Sequence, residues 1–282
     1  GRQKKQDSSS DPSLPTLEDT ARNVTERGGE GIAVYCDHSN SDDVAKLFER
    51  VNNERNGQLD ILVNNAFSAV DHLFKNMGQT FWESDISVWD EVNNVGLKNH
   101  YVCSALAARI MVKRRSGLIV NVSSAGGLKY AISVAYGVGK AALDRMAIDC
   151  AKELKNFNVA CISLWPGPVR TEYFTGGKLS TDSTDQDAFL GMFKNGESIE
   201  YTGKCVAHLA QDRNIIQKSG KVYFTADLGD YYGFTDIDGR KPGNFRSVKT
   251  LLESAAWHKT AKWVPQWVKI PLWMMTFSGS KL

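Results

Sequence analysis

The chain has 282 residues, of which 42% are apolar and 23% charged, and its formal net charge is +2. This length and composition suit an α/β protein with a sizeable core, and the small net charge gives no reason to expect nucleic acid as a partner. The five cysteines are widely spaced, form no CxxC motif and have no histidine at metal-ligand spacing. We therefore expect reduced cysteines in an intracellular protein, with neither disulfides nor a bound metal.

Helices and strands are predicted to alternate along the chain. Helical spacing that ends in Gly-Gly covers residues 16–29, and an N-cap serine followed by an apolar stripe predicts a helix over 41–57. Continuous apolar runs predict strands, because a strand buried on both faces has no polar alternation. The predicted strands are 31–37, 58–66, 117–124, 158–165 and 220–227, and the other predicted helices are 87–115, 134–157 and 201–212.

This alternation favours a parallel sheet covered by helices on both sides. Polar or turn-forming residues stand at the predicted strand ends, namely Asp37, Asn64-Asn65, Ser123-Ser124 and Pro166-Gly167. Ligands of such sheets bind beyond the carboxyl ends of the strands. We therefore expect a binding site at that edge of the sheet.

Tyr136 and Lys140 stand four residues apart on a predicted helix, so their side chains share one face. A tyrosine with an ordinary pKa of about 10 is a poor acid at neutral pH, and a neighbouring ammonium lowers that pKa. A serine at the end of the preceding strand can bind the same substrate oxygen. This set suits carbonyl reduction, or alcohol oxidation, with a nicotinamide cofactor. The spacing alone also arises by chance, and the strand ending in Ser-Ser is what favours the catalytic interpretation.

Four stretches, LDILVNNA, GLIVNVSS, YGVGKAA and LWPGPVRT, resemble the short-chain dehydrogenase/reductase family in order and spacing. FWESDISVWDEVNNVGLKNHY, TGKCVAHLAQD and GFTDIDGR resemble one subgroup of that family. The resemblance covers residues 31–227 and implies a Rossmann-like, doubly wound parallel sheet. It implies that Tyr136 is the catalytic acid/base, and that Lys140 holds the nicotinamide ribose and lowers the tyrosine pKa. Counting back from Tyr136 gives Ser123 as the catalytic serine, whereas aligning the strand ends gives Ser124; we favour Ser124 and keep both.

The resemblance also implies the cofactor contacts. Asp37 matches the acid at the adenine amino group, and Asn64 and Ala66 match residues on the adenosine side. The turn that receives the nicotinamide carboxamide matches Pro166, Gly167, Val169 and Thr171. Arg2 matches a residue that meets the 2′-phosphate of NADP, so NADP(H) is slightly favoured over NAD(H).

The chain departs from the family pattern at three places. Phe67 replaces the glycine of NNAG, and Gly96 stands where the family has a helix asparagine. The TGxxxGIG turn, which seats the pyrophosphate, is absent from the chain. The glycine-rich stretch GGEGIA at 28–33 follows a predicted helix and is expected to end it.

We therefore expect an N-terminally truncated fold in which the family's first two strands are absent. Residues 1–30 are interpreted as the remnant of a second βα unit, 31–227 as the dehydrogenase domain and 228–282 as a C-terminal extension. On this view strand 31–36 loses its neighbour and strand 59–64 has an exposed edge. The chain by itself is expected to bind dinucleotide poorly and to fold poorly.

These observations predict an NAD(P)(H)-dependent oxidoreductase that acts through a Ser-Tyr-Lys site on lipophilic ketones or secondary alcohols. The irregular segment 172–199 and the aromatic tail would shape an apolar pocket. The alternative is a truncated or non-catalytic family member that acts by protein or membrane binding. His72, His100 and His208 are isolated in the sequence and receive no role.

The tail 255–277 carries tryptophans between lysines, at Trp257, Trp263, Trp267 and Trp273. Such a segment either packs on the domain or makes peripheral contact with a membrane. A cytoplasmic location, or association with the endoplasmic reticulum membrane, would suit the family. By analogy with the family, the helices at 87–113 and 134–157 would pair two or four copies of the chain.

Overall fold

The computed structural model describes residues 15–175, 190–194, 196–254, 257–265, 267–271 and 274–275. Within these ranges, a four-stranded sheet has the order β1-β2-β3-β4, and all of its neighbouring strands are parallel. The strands are β1 (Ile61–Asn64), β2 (Gly117–Val122), β3 (Val159–Trp165) and β4 (Val222–Phe224). The predicted parallel sheet is thus confirmed.

Helices connect these strands and extend beyond them. They are α1 (Leu17–Glu26), α2 (Ser41–Glu54), α3 (Val70–Lys75), α4 (Val88–Asn93), α5 (Asn99–Arg114), α6 (Val134–Leu154), α7 (Glu172–Thr175), α8 (190–194), α9 (Ile199–Gln211), α10 (Ile215–Lys218), α11 (Thr225–Tyr232), α12 (Val248–Ser254) and α13 (His258–Ala261). The predicted helix 87–115 consists of α4 and α5 joined by a π turn, Asn94–Lys98. None of the helices in the described ranges is long and apolar enough to cross a bilayer.

Helices cover both faces of the sheet. Successive strand residues point to opposite faces, so Leu118 and Val120 pack in one cluster and Ile119 packs in another. The first cluster includes residues of α9 and α11, and the second includes residues of α2, α5 and α6. The expected Rossmann-like, doubly wound arrangement follows from this division.

Two predicted strands differ from the structure. Residues 31–37 form no strand in the part of the chain that is described, although Cys36 packs against the core. The apolar run that predicted a strand therefore reflects burial of one side chain and not pairing. In the predicted strand 220–227, pairing stops at Phe224 because its partner β3 ends at Trp165, and Thr225 begins α11.

The glycine-rich stretch at 28–33 ends a helix, as predicted. The helix α1 stops at Glu26, and Gly28 follows with a φ of +91°. A glycine adopts this left-handed backbone without the steric penalty that a Cβ would bring.

Candidate active site

Two adjacent serines follow the end of β2 and have different partners. Ser123 is buried, and its hydroxyl donates to the backbone carbonyl of Lys140 at 3.0 Å. Ser124 caps the short 3₁₀ turn Ala125–Gly127, where its hydroxyl accepts the Gly126 N–H at 3.1 Å. The Ser124 side chain also lowers the pKa of Tyr136. Of the two candidates, Ser124 is the serine whose side chain acts on the tyrosine.

The start of α6 positions Tyr136. The N-cap residue Ser133 accepts the Tyr136 N–H through its hydroxyl at 3.3 Å, which fixes the first helical turn. The tyrosine ring lies over Gly126, where an added Cβ would be 2.6 Å from ring atom Cε1. Glycine at 126 is therefore required for the ring to approach the end of β2.

The pKa of Tyr136 is raised above its ordinary value, chiefly by burial, although the hydrogen bond from Ser124 lowers it. This differs from the expected lowering by Lys140. The Lys140 ammonium donates to the Val122 carbonyl at 3.0 Å and lies 5.7 Å from the centroid of the tyrosine ring. The Val122 carbonyl binds the ammonium, and the pKa of Tyr136 is determined by burial and by the Ser124 side chain.

Lys140 is half-buried, and loss of solvent around it lowers its pKa to about 8, against the opposing charge of Asp144. Asp144 lies one helical turn beyond Lys140. Its carboxylate accepts the Ser163 hydroxyl at 2.5 Å and the Trp165 indole N–H at 2.8 Å. Sequence reasoning missed this carboxylate, although its i+4 spacing from Lys140 is a visible signal.

The turn after β3 is fixed by Glu197, which is only 1% exposed. Its carboxylate accepts the Gly167 N–H at 3.1 Å and the Thr225 hydroxyl at 2.6 Å. Its backbone N–H donates to the Pro168 carbonyl at 2.8 Å. Burial raises the pKa of this carboxyl, while the hydrogen bonds from Thr225, Thr202 and Gly167 lower it. Nothing in the motif predicted this residue, because Glu197 is 30 residues away from Gly167.

Asn93, at the end of α4, contacts the turn of α6 that carries Tyr136. Its side-chain amide donates to the Ala135 carbonyl at 3.2 Å. Its side-chain oxygen lies 2.1 Å from the position that a Cβ at Gly139 would occupy. Alignment with the family pattern placed Gly96 at the asparagine position, and Asn93 was not considered. The Asn-Asn pair within an otherwise apolar helix pattern was the available signal.

A cavity of about 670 Å³ brings the predicted site residues together. The predicted catalytic side chains Ser123, Ser124, Tyr136 and Lys140 line it, as does the predicted nicotinamide turn, Pro166, Gly167, Val169 and Thr171. Most of the remaining wall is apolar, with Phe67, Leu73, Phe74, Met77, Phe174, Met192, Phe193 and Phe245. A hydrophobic organic molecule would be desolvated in such a cavity.

The residues expected on the adenosine side do not line this cavity. Asn64 is buried, and its amide donates to Asn121 at 2.8 Å and to Ser104 at 2.9 Å. Asn64 therefore joins β1, β2 and α5 inside the protein instead of lining the cavity. Asp37 accepts the N–H and hydroxyl of Ser39 in the turn before α2. Arg2 lies outside the described residues.

Ala66 contributes through its backbone. Its carbonyl lies 3.0 Å from Nε2 of His100, which identifies that nitrogen as the donor. Burial, followed by the charge of Lys140, lowers the pKa of His100 to about 4, so the ring is neutral at physiological pH. The other ring nitrogen, Nδ1, has no hydrogen-bond partner among the described residues. His100 therefore stabilises the backbone at Ala66 through this hydrogen bond. Its isolated position in the sequence did not predict this role.

Tyr136, Lys140 and the turn 166–171 line one cavity, an arrangement that suits the nicotinamide end of a dinucleotide. The glycines at 28–33 follow the end of α1. In the described part of the chain, no group of three or more His, Cys, Asp or Glu side chains could hold a metal ion.

The parallel sheet and the tyrosine–lysine helix are those of a dehydrogenase, and a sequence model described as "short chain dehydrogenase" matches residues 8–179. The chain belongs to the short-chain dehydrogenase family. Over 275 residues it is 42% identical to Dehydrogenase/reductase SDR family member 1 of Homo sapiens, covering 95% of this chain and 87% of that protein. Its identity to the Mus musculus protein of the same name is 43% over 274 residues, with the same coverage. The expected subgroup resemblance is confirmed.

The fold is also that of a solved dehydrogenase. Acetoin dehydrogenase YohF from Salmonella typhimurium superimposes with a TM-score of 0.58 at 21% identity, covering 74% of this chain and 79% of that one. At this identity the likeness concerns the fold alone.

Proposed function

We propose that this chain is an NAD(P)(H)-dependent oxidoreductase that reduces lipophilic ketones, or oxidises the corresponding secondary alcohols. The carrying observation is that Ser124, Tyr136 and Lys140 line one largely apolar cavity together with the turn 166–171. A substrate oxygen within reach of both hydroxyls is held by one and protonated by the other.

Each side chain has one role in this proposal. Tyr136 donates its phenolic proton to the substrate oxygen during reduction and recovers a proton during oxidation. Ser124 donates a hydrogen bond to the same oxygen, and Lys140 supplies the nearby positive charge. A bound nicotinamide supplies or accepts the hydride. The aromatic and methionine side chains of the cavity exclude water and favour apolar substrates.

The cofactor preference stays a proposal. The slight preference for NADP(H) depends on Arg2, which lies outside the described residues, so both cofactors must be tested. The purified chain should be incubated with NADPH or NADH and, in separate reactions, with a steroid ketone, an aromatic ketone or acetone. Oxidation of the cofactor should be measured by the change in its absorbance. Where the cofactor binds, we expect turnover with the two large ketones and far less with acetone.

The Tyr136→Phe variant tests the mechanism. Removing the general acid should lower kcat about 100-fold or more. Tyr231→Phe is the matched control, since Tyr231 is exposed on α11. A Tyr136→Phe enzyme with the parental kcat would exclude this mechanism. A chain that binds neither cofactor and reduces no ketone would favour the alternative, a non-catalytic family member.

Peripheral membrane contact is a second proposal, favoured by the exposed tail tryptophans. Trp257, Trp263 and Trp267 are 63%, 89% and 78% exposed, and Lys259 and Lys262 lie exposed among them. Lys269 anchors this region to α11 through ion pairs with Asp227 at 2.7 Å and Asp230 at 2.8 Å. Trp273 lies outside the described residues.

Vesicle co-sedimentation tests this second proposal. The chain should bind vesicles containing phosphatidylserine, and the double change Trp263→Ala with Trp267→Ala should reduce binding at least tenfold. Trp82→Ala is the control, because Trp82 is equally exposed but outside the tail. Equal binding by all three proteins would refute the tail contact. Binding would support association with a membrane, such as that of the endoplasmic reticulum, over a free cytoplasmic location.

Self-association is proposed for the exposed faces of α5 and α6. Tyr101, Val138 and Ile148 are large apolar side chains exposed on these helices. Light scattering should report a dimer or tetramer that becomes a monomer in Val138→Glu with Ile148→Glu, because two buried charges oppose association. A monomeric parent chain would refute this proposal.

A further inference from the structure

Phe67 and Gly96 are in direct steric contact. Gly96 lies in the π turn between α4 and α5, and a Cβ added there would be 2.7 Å from Cδ2 and 2.9 Å from Cε2 of Phe67. Both distances are well inside van der Waals contact. The ring of Phe67 therefore occupies the volume that a side chain at position 96 would need. Two departures from the family pattern, which are far apart in the sequence, form one packing unit in the structure.

The same ring contacts the proposed catalytic pair. Phe67 and Tyr136 form an edge-to-face contact, with ring centroids 6.0 Å apart and planes at 78°. The Lys140 ammonium lies 5.3 Å from the centroid of the Phe67 ring, which is within the range of cation–π attraction. The ring of Phe67 is thus bounded by the Gly96 backbone, the tyrosine ring and the lysine ammonium.

Other neighbours limit where this ring can go. Phe67 packs against a buried cluster from α3 and α4 that includes Ala69, Leu73 and Val92. In a closely packed cluster, displacing one side chain moves its neighbours. A side chain at position 96 would push the ring into the space that Tyr136 and Lys140 occupy.

We propose that Phe67 is a positioning residue. Because Gly96 has no side chain, there is room for the Phe67 ring, and this ring holds Tyr136 and Lys140 in their working arrangement. This deepens the function proposed above and rests on it for the reaction that the pair performs. The contacts themselves can be tested without any enzyme activity.

The first test is a double-mutant cycle on stability, measured by urea unfolding. Gly→Ala normally stabilises a helix, and Gly203→Ala is the control because nothing lies within 4 Å of a Cβ at that position in α9. We expect Gly203→Ala to raise the urea midpoint and Gly96→Ala to lower it. In a Phe67→Ala background, Gly96→Ala should raise the midpoint instead. A change of the same sign in both backgrounds would overturn the steric pairing.

The second test reports on Lys140 directly, through the pH titration of its side-chain carbon signals in NMR of the cofactor-free protein. The signals are assigned by their loss in Lys140→Arg. Phe67→Leu keeps an apolar group over the ammonium but removes the aromatic face. The pKa of Lys140 should therefore fall by about 0.5, as expected for losing one cation–π contact. An unchanged or higher pKa would overturn the positioning role, since a merely structural residue would leave this titration unaltered.

The two proposals fail in different ways. If no ketone is reduced but both tests succeed, the proposed reaction is wrong and the packing unit is real. If ketones are reduced but Phe67→Leu leaves the Lys140 titration unchanged, the reaction stands and the role of Phe67 is wrong.

Discussion

The Ser123 hydroxyl donates to the backbone carbonyl of Lys140 at 3.0 Å, which ties the end of β2 to the second turn of α6. The Ser124 side chain instead lowers the pKa of Tyr136. The two neighbouring serines thus have separate roles, because successive residues of an extended chain face opposite directions. One serine supports the helix that carries the lysine, and the other acts on the tyrosine side chain.

Substituting each serine should separate these roles. Ser124→Ala should lower kcat for ketone reduction about 100-fold, because one donor to the substrate oxygen is lost. Ser123→Ala should lower the free energy of unfolding by about 1 kcal/mol and keep most of the turnover. Steady-state kinetics and urea unfolding on both variants measure the two effects. The opposite pattern would assign the substrate contact to Ser123.

The lowered pKa of Lys140 should make stability rise with pH. Its folded pKa of about 8 lies below its ordinary 10.5, so between these values the unfolded chain binds more protons than the folded one. Stability therefore increases across this window as the ammonium loses its proton. Between pH 7 and 9.5, the free energy of unfolding of the native chain should increase by on the order of 2 kcal/mol relative to that of the Lys140→Met variant. A constant difference between the two proteins across this range would contradict the lowered pKa.

His100 should make the fold acid-sensitive. Its folded pKa of about 4 lies below the ordinary 6.5, so the unfolded chain takes up a proton first as the pH falls. The stability that depends on the neutral ring is complete above pH 6.5 and is lost progressively towards pH 4. When the pH falls from 7.5 to 4.5, the free energy of unfolding should decrease by on the order of 2 kcal/mol more in the native chain than in the His100→Gln variant. Equal decreases in the unfolding free energy of the native chain and of His100→Gln, measured by urea titration at the two pH values, would contradict this role.

Removing the Glu197 carboxylate should loosen the turn after β3. Glu197→Ala leaves the Gly167 N–H and the hydroxyls of Thr202 and Thr225 without their acceptor, which should cost about 3 kcal/mol of stability. Glu197→Gln retains one oxygen acceptor and should cost less. The KM for the nicotinamide cofactor should increase in the same order. An alanine variant as stable as the parent would show that this network is not needed.

The outer edge of β1 should favour aggregation. Ile61 and Val63 are 38% and 42% exposed, and β1 is an edge strand of the sheet in the described residues. Exposed apolar edges pair with other chains, and a lysine on the edge prevents this. Val63→Lys should lower the aggregated fraction in light scattering. Ile237→Lys, at an exposed position outside the sheet, should have a smaller effect.

Local patterns predicted most of the sheet and its helices. The strands β1, β2 and β3 lie within predicted apolar runs, and α2, α6 and α9 match predicted helices closely. The patterns failed where a partner decides the outcome. Residues 31–37 have a strand composition without forming a strand, and β4 stops where β3 no longer offers a partner. Strand formation depends on a neighbouring strand as well as on composition.

The sequence by itself determined the family, the parallel sheet and the tyrosine–lysine spacing, because these depend on local periodicity and on ordered motifs. Tertiary structure alone decided which serine side chain shifts the pKa of Tyr136, that Lys140 is bound to the Val122 carbonyl, and that Glu197 holds the turn at Gly167. It also brought Phe67 against Gly96. Contacts of this kind join residues that are distant in the chain. Their burial and geometry therefore exist only once the sheet and helices have packed.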